Sequence, residues 1–252
     1  ILGSVHEKKI IHKDLVPTNI LIEPANQDLR LIDFSGSSEL LREFQATTFS
    51  KRIEGSLPYI SPEQTGRMNR DIDYRTDYYS LGISFYQMLT GQLPFFANDA
   101  LEWVHCHISK LPLAPHEVNK EIPKILSDIV TKLISKNAED RYQSSKGLVT
   151  DLEKCRDEFN KGSVDFSFEI AQSDKSRQFQ IPQKLYGRKA ELQKLKSYFE
   201  NAQHGSVEFC LVSGYSGVGK SVLILELGRS VVKKGGYLIN GKFEQFRQNT
   251  AY

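Results

Sequence analysis

Two stretches carry residue types whose spacing could move phosphate. The first is I-I-H-K-D-L-V-P-T-N, residues 10–19, in which Asn19 stands five positions after Asp14. The apolar residues Ile20, Leu21 and Ile22 follow, then a polar turn, then residues 29–34 with Asp33 among them. Phosphoryl transfer needs a carboxylate that orients the attacking hydroxyl, and ligands for the metal that holds the triphosphate. Asp14 suits the first task, and Asn19 and Asp33 suit the second. Two short strands between them would fold the metal ligands back onto one site. The second stretch is Gly214-Tyr215-Ser216-Gly217-Val218-Gly219-Lys220-Ser221. It has the form G-x-x-x-x-G-K-S, after an apolar run at 207–212 and before a helical pattern at 222–234. Its glycines let backbone N–H groups converge on phosphate oxygens at a helix N-terminus. Lys220 would hold the β- and γ-phosphates of ATP, and Ser221 would ligate Mg²⁺.

Elements must position both stretches, and the chain is long enough to build them. Its 252 residues suggest one or two domains with a sizeable core. A net charge of +2 and the lack of a basic stripe argue against nucleic acid as a partner. Cys106, Cys155 and Cys210 are few, odd in number and far apart, so they read as reduced thiols of a cytoplasmic protein. No apolar run is long enough for a membrane span, and no signal peptide is expected. Residues 73–90 carry apolar positions around much of a helix, which predicts a buried one, stopped by Gly91 and Pro94. Residues 101–109 form a shorter helical pattern. His105-Cys106-His107 within it could suggest metal, but residues two apart on a helix point to different faces and no fourth ligand is evident. Surface or packing roles are expected for them. Residues 122–134 are clearly amphipathic, and Leu148, Leu152, Cys155 and Phe159 line one face of a helix ending near Gly162.

The first stretch resembles the H-R-D-L-x-x-x-N and D-F-G signatures of protein kinases. With the residues that follow, it is similar to the carboxy-terminal lobe of a eukaryotic-type serine/threonine kinase. The resemblance implies Asp14 as the catalytic carboxylate and Asn19 and Asp33 as Mg²⁺ ligands. His12 would pack beneath the metal-binding turn. Residues 37–54, with Thr47, Thr48 and Ser50, take the place of the activation segment. Gly55-Ser56-Leu57-Pro58-Tyr59-Ile60-Ser61-Pro62-Glu63 resembles its G-T-x-x-Y-x-A-P-E end. Ser56 would offer its hydroxyl to the catalytic Asp. Glu63 would form a buried ion pair with Arg141, and Asp77 would accept backbone N–H bonds from the catalytic loop. Three positions depart from the family pattern. Lys13 replaces an Arg, Val16 replaces a Lys that touches the transferring phosphate, and Ser35 replaces the Gly after Asp33-Phe34. The first loses a bidentate fork and the second loses a charge at the transition state. The family also places a nucleotide-binding lobe before this one, with a Gly-rich loop and a phosphate-holding Lys. The chain begins at Ile1 in what reads as the end of a helix, as a piece of something longer would.

Residues 161–184, rich in Ser, Asp, Gln and Lys, read as a linker. The opening Tyr186-Gly187-Arg188-Lys189-Ala190-Glu191-Leu192, a helix at 190–199, a strand at 207–212 and the G-x-x-x-x-G-K-S loop resemble the start of an AAA-type ATPase module. A further strand is expected at 236–242, and the acidic residue that completes the Mg²⁺ site beyond Tyr252. A kinase lobe joined to such a module resembles the large signalling proteins, frequent in cyanobacteria, that add a sensor and a histidine kinase. The fold class expected is therefore a mainly α protein-kinase C-lobe (α+β) over 1–160, a linker over 161–184 and an incomplete α/β P-loop domain over 185–252. The function expected is ATP-dependent phosphorylation of protein Ser or Thr by the longer protein. A pseudokinase scaffold coupled to a nucleotide-driven switch is the alternative. ATP, Mg²⁺, a protein substrate and linked sensor and histidine kinase domains are the partners implied.

Overall fold

The computed structural model describes residues 1–39, 42–43, 55–68, 70–162, 166–175, 187–215, 217–234 and 236. The first unit is mostly helical with little sheet. Helix α1 (Leu2–Glu7) leads into a loop, a single 3-10 turn (Pro17–Asn19) and the hairpin of β1 (Ile20–Ile22) and β2 (Leu29–Leu31). The hairpin is antiparallel, with Ile20 opposite Leu31 and Ile22 opposite Leu29. A second small pair joins β3 (Arg42–Glu43) to β4 (Ile72–Asp73). Thr47, Thr48 and Ser50 lie outside the described residues.

Helix α2 (Arg75–Thr90) is the centre of the unit. It starts two residues later than its apolar pattern suggests, because Asp73 belongs to β4 and its carboxylate accepts from the Arg75 N–H at 2.9 Å. Tyr78 and Tyr79 are neighbours in sequence but enter different apolar clusters, so the helix is packed on both sides. Its far end is less buried than expected, since Met88 is 72% exposed. Gly91 takes the left-handed conformation that closes the helix, with φ 74°. Helix α3 (Ala100–Ser109) begins at Asp99, whose side chain accepts from the Glu102 N–H. A short α4 (Pro115–Val118) precedes α5 (Lys124–Leu133), which buries Ile125, Ile129, Val130 and Leu133 against α2. Helix α6 (Ser145–Asn160) is capped by Ser144 and buries Leu148 and Cys155. Phe159 is on the same face but lies at its edge, against Phe166 at 5.5 Å between ring centroids.

Part of the stretch expected as a linker is not free. Phe166, Phe168, Ile170 and Ala171 pack onto the cluster formed by Tyr78, α5 and α6. The Ala171 N–H donates to Asp151, and Asp174 accepts from the Gln143 N–H and the Ser144 hydroxyl. Composition alone marks this segment as polar, yet its few apolar side chains find a cluster to cover.

Beyond it, α7 (Lys189–Gln203) and α8 (Lys220–Lys233) pack against each other. The strand expected at 207–212 does not form among the described residues. Val207, Phe209 and Leu211 are exposed instead. A strand exists only through bonds to a neighbour, and no described segment offers them. All of the strand expected at 236–242 except Gly236 lies outside the described residues. Among the described residues, no helix is long and apolar enough to cross a membrane.

Candidate active site

The turn at 11–19 is held from below by one carboxylate. Asp77, fully buried in the first turn of α2, accepts from the His12 N–H at 3.0 Å and the Lys13 N–H at 2.8 Å. His6 of α1 adds a third bond, 2.8 Å from Nε2. Lys13 has a φ of 69°, a conformation that costs a non-glycine residue about 1–3 kcal/mol. The bonds from Asp77 hold the turn in that shape.

His12 cannot act freely as a base. Its Nδ1 accepts from the Asp14 N–H at 3.3 Å, and its Nε2 faces the Ile32 carbonyl at 3.0 Å. A carbonyl only accepts, so the proton sits on Nε2. The ring lies edge-on to Phe34, 4.6 Å between centroids, directly under the Asp33-Phe34 turn.

The two oxygens of Asp14 face different neighbours. Oδ1 accepts from the Ser56 backbone N–H at 2.8 Å. The resemblance implies that contact for the Ser56 hydroxyl; the backbone N–H makes it. Oδ2 faces the Asn19 amide nitrogen at 3.3 Å, and the same nitrogen donates to the Asp14 carbonyl at 3.0 Å. With its nitrogen so used, Asn19 keeps its side-chain oxygen for another partner. The Ile32 N–H donates to the Asn19 carbonyl at 3.0 Å, so the hairpin sets Asp33 beside Asn19. Asp33 has φ 59°, which an Asp tolerates better than most residues. The Ser35 hydroxyl at 2.6 Å and the Ser35 N–H hold the Asp33 carboxyl below its usual range. The serine at position 35 thus adds a hydroxyl donor to the Asp33 carboxylate.

Glu63 and Arg141 meet as a bidentate pair at 2.6 and 2.9 Å, both side chains inaccessible to water. Burial alone would raise the Glu63 carboxyl; the Arg141 charge and hydrogen bonds outweigh it and bring it down to about 2. Gln64, which no motif marks, is buried. Its amide donates to the Lys13 carbonyl at 2.7 Å, tying the end of this segment to the turn at 11–19. His6 is unmarked as well. Neither leaves a periodic signal, since each acts on a partner tens of residues away.

In the second stretch, Gly217 and Gly219 hold left-handed φ values of 82° and 86°, which side-chain-bearing residues rarely adopt. Lys220 opens α8, and its ammonium donates to the Gly214 and Tyr215 carbonyls, each at 2.8 Å. Val218 and Ser221 are exposed, as a phosphate-facing loop requires, and Ser216 lies outside the described residues.

The protein kinase domain family matches residues 2–151. The chain belongs to the protein kinase family. Residues 184–252 match the AAA ATPase domain family, so the kinase lobe is followed by an AAA module. The chain is 36% identical over 213 residues to hybrid signal transduction histidine kinase G of Dictyostelium discoideum, covering 76% of this chain and 6% of that protein. It is 36% identical over 159 residues to a probable serine/threonine-protein kinase of Clostridium perfringens, covering 63% of this chain and 22% of the relative. Histidine protein kinase 1 of Candida albicans is 25% identical across 99% of this chain, which spans 11% of that protein. The chain thus spans less than a quarter of each of these relatives.

Proposed function

We propose that the protein carrying this chain transfers the γ-phosphate of ATP to Ser or Thr hydroxyls of other proteins, and that the kinase lobe supplies the acceptor side of that reaction. One observation carries the reading: Asp14 is fixed at both oxygens, by Ser56 and Asn19, while lone pairs remain to accept a hydroxyl hydrogen. Asp14 orients the hydroxyl and takes its proton as the oxygen bonds to the γ-phosphorus and ADP leaves. Asn19 and Asp33 offer hard oxygen atoms, a donor type that suits Mg²⁺. When bound there, Mg²⁺ would neutralise charge developing on the phosphates. Val16 leaves the transferring phosphate without a cation that the family usually places there, so turnover is expected to be slow.

The loop from Gly214 through Tyr215, Ser216, Gly217, Val218 and Gly219 to Lys220 and Ser221 would form a second ATP site beside the kinase. The histidine kinases among the relatives support a place in a longer signalling chain with sensor and histidine kinase domains. A cytoplasmic location fits the use of ATP by both units.

The test uses the longer protein with labelled ATP and a Ser/Thr substrate, scoring acid-stable phosphate so that phosphohistidine is excluded. Asp14→Asn should slow incorporation by about 10²–10⁴-fold. An unchanged rate overturns the role of Asp14. A wild-type protein that binds ATP yet labels nothing turns the reading to the scaffold.

A further inference from the structure

The His105-Cys106-His107 run has an unexpected use. His107 of α3 is fully buried. Its Nε2 lies 2.9 Å from the Leu57 carbonyl, which only accepts, so Nε2 carries the proton. Its Nδ1, 3.0 Å from the Tyr79 hydroxyl, is then the acceptor. Aromatic rings fix the imidazole on three sides. Trp103 stacks on it at 5.9 Å, and Phe95 and Tyr79 meet it edge-on at 5.5 and 5.7 Å. Burial, and then the nearby Lys136 charge, push the ring down to about 3, so it stays neutral and keeps this tautomer across the ordinary pH range.

The residue it holds is one step from Asp14. Ser56 gives its N–H to Asp14 Oδ1, and the Ser56 carbonyl accepts from the Tyr59 N–H at 2.8 Å. Residues 55–60 therefore lie on the Oδ1 side of the carboxylate, while Asn19 lies on the Oδ2 side. A protein hydroxyl must approach between them.

We propose that His107 is a positioning residue for the protein substrate: by fixing the Leu57 carbonyl it sets the loop at 55–60 that borders Asp14 on the acceptor side. This rests on the kinase reading above. A loss at His107 should therefore weaken use of the protein substrate and leave use of ATP as it was.

Two measurements test it. On the intact chain, His107→Phe keeps a ring but removes the donor. Amide exchange of a peptide spanning 55–60 should quicken by about three- to tenfold, the equivalent of one lost hydrogen bond, with α2 unchanged. His107→Gln, which keeps an N–H near the Nε2 position, should restore slow exchange. Tyr79→Phe removes only the hydroxyl that donates to His107 Nδ1, and should give a smaller change in the same direction if His107→Phe does not fold. In the longer kinase, His107→Phe should raise KM for the protein substrate with KM for ATP unchanged, and His107→Gln should bring it back. Unchanged exchange at 55–60, or a KM for ATP that moves with that of the substrate, overturns the proposal. The exchange measurement needs no catalysis. A wild-type protein with no kinase activity would thus defeat the functional reading without deciding the role of His107.

Discussion

At the scale of residues, the Glu63–Arg141 pair is a fully buried, bidentate contact in the kinase lobe. All five guanidinium N–H groups are used: two on Glu63, and one each on the carbonyls of Ser135, Arg75 and Lys136. Thr76 gives Glu63 a further bond at 2.8 Å. Breaking such a pair from one side leaves a buried charge alone and costs about 3–5 kcal/mol. Arg141→Ala should therefore lower the melting midpoint of the lobe by about 10 °C. An unchanged midpoint would mean that the pair contributes nothing. The pair also sets an acid dependence. The folded Glu63 carboxyl is depressed from 4.5 to about 2, so its contribution is full above about 4.5 and is lost as pH falls toward 2. Glu63→Gln should flatten the fall in midpoint over that window, and an identical slope in the two proteins would contradict it.

At the scale of elements, the packed segment at 166–175 makes a claim on α6. A Cβ at Gly147 would stand 2.6 Å from the Asp174 Cβ, so the segment and the helix cannot both keep their places if it is added. Helix propensity favours Ala over Gly by about 1 kcal/mol, which alone would stabilise α6. The clash opposes it, and Asp174 stands to lose its bonds from the Gln143 N–H and the Ser144 hydroxyl. Those two bonds are together worth about 1–3 kcal/mol, enough to outweigh the propensity gain. Gly147→Ala should thus lower the midpoint slightly and speed proteolysis between residues 160 and 175. Asp174→Ala should do the same without the clash. A raised midpoint with unchanged proteolysis in Gly147→Ala would show that the segment does not bear on the helix.

At the scale of the whole molecule, the two units differ in how much each can do within these 252 residues. The kinase lobe has apolar clusters packed on both sides of α2. The P-loop unit has α7 and α8 packed together, while Val207, Phe209 and Leu211 are left to water. The ammonium of Lys220 is bound to its own loop carbonyls, an arrangement a phosphate would have to displace. The phosphate-anchoring Lys and Gly-rich loop of the kinase family are not among these residues. Purified residues 1–252 should therefore turn over ATP with Mg²⁺ no faster than a Lys220→Ala control. Robust turnover abolished in that control would show the P-loop unit to be self-sufficient.

Local features were readable in the chain itself. The helices over 75–90, 100–109, 124–133 and 145–160 follow from apolar period and from end signals such as Gly91, because a helix closes its bonds within itself. The order Asp14, Asn19, Asp33 and the G-x-x-x-x-G-K-S loop were equally plain, since motif spacing is a property of sequence. Tertiary structure decided what depends on distant partners. Nothing near His107 announces the Leu57 carbonyl fifty residues earlier, and nothing near Gln64 announces Lys13. The polar stretch after α6 hid a packed segment because its apolar residues are few and aperiodic. The run at 207–212 has the composition of a strand and did not become one among the described residues. A strand's hydrogen bonds belong to its neighbour, and composition cannot supply the neighbour.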